Sequence, residues 1–169
     1  MRLFIAIGFS DEIKNALLDA QAQLRAVSSD GNFTREENLH LTLAFIGESN
    51  DLITIRRVMD RCAGEAFSLS LGGAGRFGDL HWVGIKENPA LRALADRLCK
   101  GLRAAGFPIE DRPFKAHVTL VRQLRAEKPP RLQIPRTEMP VTRISLMKSE
   151  RINGKLTYTE VYGRDLRQS

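Results

Sequence analysis

Two short segments of this chain repeat one another, His40-Leu41-Thr42-Leu43 and His117-Val118-Thr119-Leu120, and the fold has to present both in the same way. Side chains on a strand alternate between faces, so each His shares a face with the Thr two places on. The apolar residues between and after them point to the other face, into a core. Eight threonines among 169 residues give any one histidine roughly a 5% chance of such a partner, and two hits among three histidines fall below about 1%. Each copy follows a helix-like stretch and a gap, which predicts an internal pseudo-repeat.

The rest of the pattern interleaves strands and helices. Arg2 to Gly8 reads as a strand, and Ser10 as the N-cap of a helix to Ala26 with Ile13, Leu17, Leu18 and Leu24 on its apolar face. Ser28 to Asn32 reads as loop, and Leu39 to Ile46 as a strand closed by Gly47. Leu52, Ile55, Val58, Met59 and Cys62 mark a helix over Asp51 to Ala63. Strands are predicted at Phe67–Leu71 and Leu80–Ile85, joined through turns by the glycine-rich Gly72–Gly78, which lacks the Lys-Ser or Lys-Thr of a phosphate loop. Asn88-Pro89 starts a helix that ends near Gly106, with Leu91, Leu94, Ala95, Leu98 and Leu102 inward. Ala116–Val121 is a strand and residues 125–136 a surface connection. Val141–Met147 and Leu156–Tyr162 form a hairpin around Asn153-Gly154. This order points to α+β, with mostly antiparallel sheets lining a central cleft, helices outside, and two lobes in one domain over residues 1–169.

No apolar run is long enough to span a bilayer, and the first strand is too short in apolar residues for a signal peptide, so a cytoplasmic protein is expected. Cys62 and Cys99 lie in helical patterns with no Cys-x-x-Cys, which predicts two small buried thiols rather than a zinc site or a disulfide. The formal charge of +6 favours anionic partners without naming one.

Paired imidazoles and hydroxyls suit phosphodiester cleavage without a metal or other cofactor. Histidine titrates near neutrality, so one ring accepts a proton while the other donates one, on opposite sides of phosphorus. The threonine hydroxyls can donate to the non-bridging oxygens. Glu36 and Glu37 are the only nearby upstream acids, too few for a ligand cluster. Phe45, Trp82 and Phe114 can either stack on a terminal base or pack in the core. His81 reads as a surface or structural histidine, and Lys115 as a solvated lysine. Arg122 is one residue out of phase with His117 and Thr119, so contact with the same phosphate requires the strand to twist or end there.

With these flanks the chain resembles the 2H phosphoesterases, and among them the bacterial and archaeal RNA 2′,3′-cyclic phosphodiesterases once called 2′-5′ RNA ligases. The similar segments are Arg2–Ile7, Glu37–Glu48 and Arg112–Arg122. The resemblance implies a two-lobed fold with a pseudo-twofold axis and a motif from each lobe in the cleft. It implies cofactor-free hydrolysis of a terminal cyclic phosphate to a 2′-phosphate, on RNA ends or nucleoside 2′,3′-cyclic phosphates; no obligate protein partner is implied, and a monomer is expected. His40 is similar to the proton donor for the 3′ oxygen and His117 to the base that activates water. Thr42 and Thr119 are similar to the phosphate ligands, and Arg122 to the basic residue that often ends the second motif and binds substrate; Phe45 and Phe114 are the aromatic candidates for substrate binding by stacking. Ala116 stands where many relatives have Pro, and Val121 where they have Ala or Gly.

A non-catalytic RNA-binding module would explain the charge and the aromatics. It leaves the matched His-Thr pairs unexplained, because neutral imidazoles and hydroxyls are weak phosphate anchors beside Lys and Arg. Ligation of a 5′-hydroxyl end to the 2′ position is the reverse reaction at the same site, and abundant water favours hydrolysis.

Overall fold

The structure, a computed structural model describing residues 1–168, is α+β, with two antiparallel sheets. The first sheet has the order β3-β1-β8-β9, formed by β3 (Leu41–Glu48), β1 (Arg2–Ile7), β8 (Arg143–Ile152) and β9 (Lys155–Asp165). The second has the order β2-β6-β5-β4-β7, formed by β2 (Asp30–Phe33), β6 (His117–Arg125), β5 (Leu80–Ile85), β4 (Phe67–Phe77) and β7 (Glu138–Val141). The motif strands β3 and β6 touch each other, which brings the two lobes together along the cleft.

Three helices cover the outer faces. In α1 (Asp11–Arg25) the Ser10 hydroxyl accepts from the Ile13 amide at 3.4 Å. In α2 (Leu52–Cys62) the Asp51 carboxylate accepts from Thr54 at 3.1 Å, and in α3 (Pro89–Ala104) Asn88 accepts from Leu91 at 3.0 Å. All three caps satisfy amides that the first turn leaves free. The leucine faces predicted for α1 and α3 are buried, apart from half-buried Leu18. α1 follows a strand of the first sheet yet packs on β6 and β7 of the second. α3 does the reverse, following β5 and packing on β3. This exchange ties the two lobes into one body. Among the described residues no helix is long and apolar enough to cross a membrane.

Four sequence expectations are corrected. Asp30–Phe33, within and beyond the predicted loop, is an edge strand because β6 offers it a partner, with Asn32 opposite Arg122 and Phe33 opposite Val121. Gly72–Gly78 is mostly strand: β4 runs unbroken to Phe77 because its glycines let β5 approach. A Cβ on Gly75 would sit 2.4 Å from Cζ2 of Trp82, so the indole lies flat on bare backbone. Gly47 does not end β3 but lies inside it with φ 86°, where the register against β1 shifts. Val141 ends β7 in the second sheet instead of starting the hairpin, and the chain crosses to the first sheet at Thr142 before β8 begins. The β8–β9 hairpin does turn at Asn153-Gly154, with φ of 52° and 77°, the left-handed values a tight hairpin turn requires.

Candidate active site

Each motif histidine is held by the carbonyl two residues upstream. Nδ1 of His40 lies 2.7 Å from the Asn38 carbonyl, and Nδ1 of His117 lies 2.7 Å from the Lys115 carbonyl. A carbonyl only accepts, so Nδ1 carries the proton in both rings and Nε2 is left for chemistry. The upstream turn at Glu36–Asn38 is itself anchored to β9, where Asn38 Nδ2 donates to the Leu156 carbonyl at 2.9 Å. Thr42 completes the first pair, its Oγ1 lying 2.8 Å from His40 Nε2.

Both motif strands then bulge at the same place. In β3, Ile5 pairs with Ala44 and Ala6 with Thr42, which leaves Leu43 as an extra residue. In β6, His81 pairs with Val121 and Trp82 with Thr119, which leaves Leu120 extra. One extra residue reverses the alternation. Leu43 and Ala44 are therefore both buried, as are Leu120 and Val121, and the next residues, Phe45 and Arg122, are exposed. This is how Arg122 regains the phase of His117 and Thr119. It also places Phe45, 54% exposed, in the equivalent position of the first lobe.

The bulge carbonyls are held from the opposite helices. The buried Gln21 amide of α1 donates to the Leu120 carbonyl at 2.9 Å and to the Thr34 carbonyl at 2.8 Å. In the first lobe the Cys99 thiol of α3 faces the Leu43 carbonyl at 3.9 Å, a far weaker donor. Cys62 is buried and Cys99 half-buried, and both are free thiols.

Around His40 stand Phe4, with ring centroids 4.9 Å apart, and Tyr158, edge-on at 5.1 Å. Around His117 stand Phe77 at 5.8 Å and Trp82 at 6.2 Å. Lys115 is exposed but not merely solvated: its Nζ lies 4.8 Å over Phe77 and 5.4 Å over Trp82, within cation–π range. Trp82 thus belongs to the cleft rather than the core, while Phe114 packs against the core and joins none of these ring contacts. His81 is structural, 6% exposed. Sequence reading missed Tyr158, Phe4 and Phe77, because only strand register carries them to the histidines.

Burial holds the His40 imidazole below the usual histidine range; the bond to Asn38 raises it in part, and charge on His117 lowers it further. The two rings are therefore close enough to repel when both are protonated. Burial pushes the Tyr158 phenol up, while the charges of Arg122 and Arg2 pull it down. Arg122 of one lobe and Arg2 of the other thus both act near the cleft. Among the described residues, no three His, Cys, Asp or Glu side chains are grouped to hold a metal ion.

The geometry agrees with known proteins. A family model described as the 2′-5′ RNA ligase superfamily matches residues 9–153. The chain belongs to that superfamily. It is a 2H phosphoesterase. It is 33% identical over 132 residues to the RNA 2′,3′-cyclic phosphodiesterase of Archaeoglobus fulgidus, with 74% of each chain covered. It is 30% identical over 135 residues to the enzyme of that description from Geobacillus stearothermophilus, covering 75% of this chain but 43% of that relative. The crystal structure of E. coli LigT complexed with 3′-AMP superposes with a TM-score of 0.83 at 28% identity, covering 99% of this chain and 98% of that one. In this 2H phosphoesterase each lobe carries one copy of the repeated strand, and the copies match down to the bulge.

Proposed function

We propose that the chain hydrolyses the 2′,3′-cyclic phosphate at RNA 3′ ends, or on nucleosides, to a 2′-phosphate, by metal-independent acid–base catalysis between His40 and His117. The observation that carries the reading is the matched pair of rings, each with Nδ1–H fixed on a carbonyl and Nε2 free of the backbone. Relatives described as RNA 2′,3′-cyclic phosphodiesterases support the substrate class.

In this mechanism His117 takes a proton from water as its oxygen bonds to phosphorus. The bond from phosphorus to the 3′ oxygen breaks, and His40 supplies that oxygen with a proton. Thr42 and Thr119 donate to the non-bridging oxygens, Arg122 balances their charge, and Phe45 stacks on the base. The lowered affinity of His40 for protons suits a donor that must release one. A phosphate anion between the rings offsets both burial and mutual repulsion, and so favours the charged form of His40 when substrate is bound. Phe114 is not part of this proposal, since it packs on the core.

The test is incubation of purified protein with adenosine 2′,3′-cyclic phosphate in excess EDTA, with the product read by phosphorus NMR. The expected product is the 2′-phosphate at an undiminished rate. A 3′-phosphate would reverse the geometry, and loss of activity restored by a divalent ion would replace the mechanism. The aromatic platform of Phe77 and Trp82 beside His117, capped by Lys115, favours a second reading. There a 5′-hydroxyl RNA end stacks and replaces water, so that a 2′-5′ linkage forms, which a labelled 5′-hydroxyl oligonucleotide would reveal.

A further inference from the structure

Beside His40, on the side away from Phe45, the cleft opens into a cavity of about 270 Å³. Ala6, Lys14, Glu37, Ser145, Tyr158 and Glu160 are among the residues that line it. The opening exists because Ala6, opposite Thr42, is small where Trp82, opposite Thr119, is large. Whole small-molecule ligands occupy about 300–1,000 Å³, so this is a subsite next to the histidine.

Its charges are unequal in availability. Glu160 is gripped by Arg143 at 3.1 Å through both carboxylate oxygens and accepts from the Ser145 hydroxyl at 2.7 Å. Glu37 is paired with Arg35 at 3.0 Å. Lys14, half-buried in the first turn of α1, forms no ion pair among the described residues. Arg143 is shared between Glu160 and Asp165, each at 3.1 Å, and Lys14 is the one lysine or arginine of the lining, without a carboxylate partner among the described residues.

The position of the cavity names its occupant. Along the cleft face of β1, Phe4 lies beside Phe45, Ala6 lies beside Thr42, and Gly8 follows at the cavity. Phe45 and the cavity therefore flank His40 from opposite ends. In a ribose, C1′ and C4′ flank the C2′–C3′ edge that bears the cyclic phosphate. A base held at the Phe45 end sends C4′ and C5′ towards the cavity.

We infer that the cavity is a subsite for the 5′-phosphate of the terminal nucleotide, the group that joins it to the rest of an RNA chain, with Lys14 as its cation. This rests on the proposed phosphodiesterase reading and narrows it: the site selects RNA ends over free nucleosides. A charge-assisted contact contributes about 1.5–3 kcal/mol, a preference of about tenfold or more.

The experiment compares kcat/KM for adenosine 2′,3′-cyclic phosphate with that for the same molecule carrying a 5′-phosphate, in the wild type, Lys14→Gln and Lys14→Arg. The expected wild-type ratio is about tenfold or more in favour of the 5′-phosphorylated substrate. It should collapse towards one in Lys14→Gln and survive in Lys14→Arg. A wild-type ratio near one, or one that Lys14→Gln leaves intact, overturns the subsite while leaving the phosphodiesterase reading in place. Turnover of neither substrate removes both.

Discussion

The two lobes are built on one plan and finished differently. Each has a His on a carbonyl, a Thr two residues on, a bulge at the third residue and an exposed side chain at the fifth. The finish differs at each step. His40 is half-buried and bonded to Thr42, whereas His117 stands edge-on to Phe77 and Trp82. The first lobe ends in Phe45 and a cavity, the second in Arg122 and an aromatic platform. A reaction with a leaving oxygen on one side and an attacking oxygen on the other needs this: a common scaffold to align two rings, with separate surroundings to divide the roles.

The sharpest way to break the comparison is to remove one ring at a time. His40→Ala and His117→Ala should each lose about 10²–10⁴-fold in rate on the normal cyclic phosphate. A substrate with sulfur in place of the 3′ oxygen leaves without a proton, so His40→Ala should recover on it and His117→Ala should not. Recovery of His117→Ala instead would exchange the roles.

Thr42→Val and Thr119→Val come next, each expected to slow turnover on the order of 10²-fold without unfolding the chain. Because Thr42 alone of the two touches its histidine in the free site, its replacement should also shift the pH profile. Equal profiles for the two variants would erase that distinction, and unchanged rates in both would make the hydroxyls structural.

The two bulge supports should differ in stability. Gln21→Leu strips a strong donor from a buried carbonyl at Leu120 and should cost about 1–3 kcal/mol in denaturant unfolding. Cys99→Ala removes only the weak thiol donor at Leu43 and should cost less. Similar losses would show that the helices, not these contacts, hold the bulges.

The smallest effect expected is on titration. His40 should titrate by NMR below the ordinary value of 6.5, because burial and His117 outweigh the Asn38 bond. His117→Gln should move it up only in part, since burial is the larger cause. The sign for stability follows. Above pH 6.5 the folded and unfolded states bind His40's proton equally little, so nothing is lost. As pH falls from there through the lower folded value, the unfolded chain gains the proton first and stability declines. A His40 titration at or above 6.5 would contradict the burial argument.

Much of this was legible in the chain. The His-x-Thr pairs, three helix caps and the apolar faces of α1, α2 and α3 are local, because capping and side-chain periodicity depend on residues within a turn or two. Alternation placed His40 with Thr42 and His117 with Thr119. It failed at Arg122, because a bulge is a mismatch between two strands and neither strand alone encodes it. The glycines of β4 read as turns for a related reason, since their purpose, room for Trp82, lies on another strand. Tyr158 and Phe77 became neighbours of the histidines only through register. Sequence by itself thus determined which groups recur and which faces they share, for those are matters of residue type and period. Tertiary structure alone decided what surrounds each ring, which lobe keeps a cavity and where Arg122 points, because packing, volume and phase belong to pairs of elements and not to any one of them.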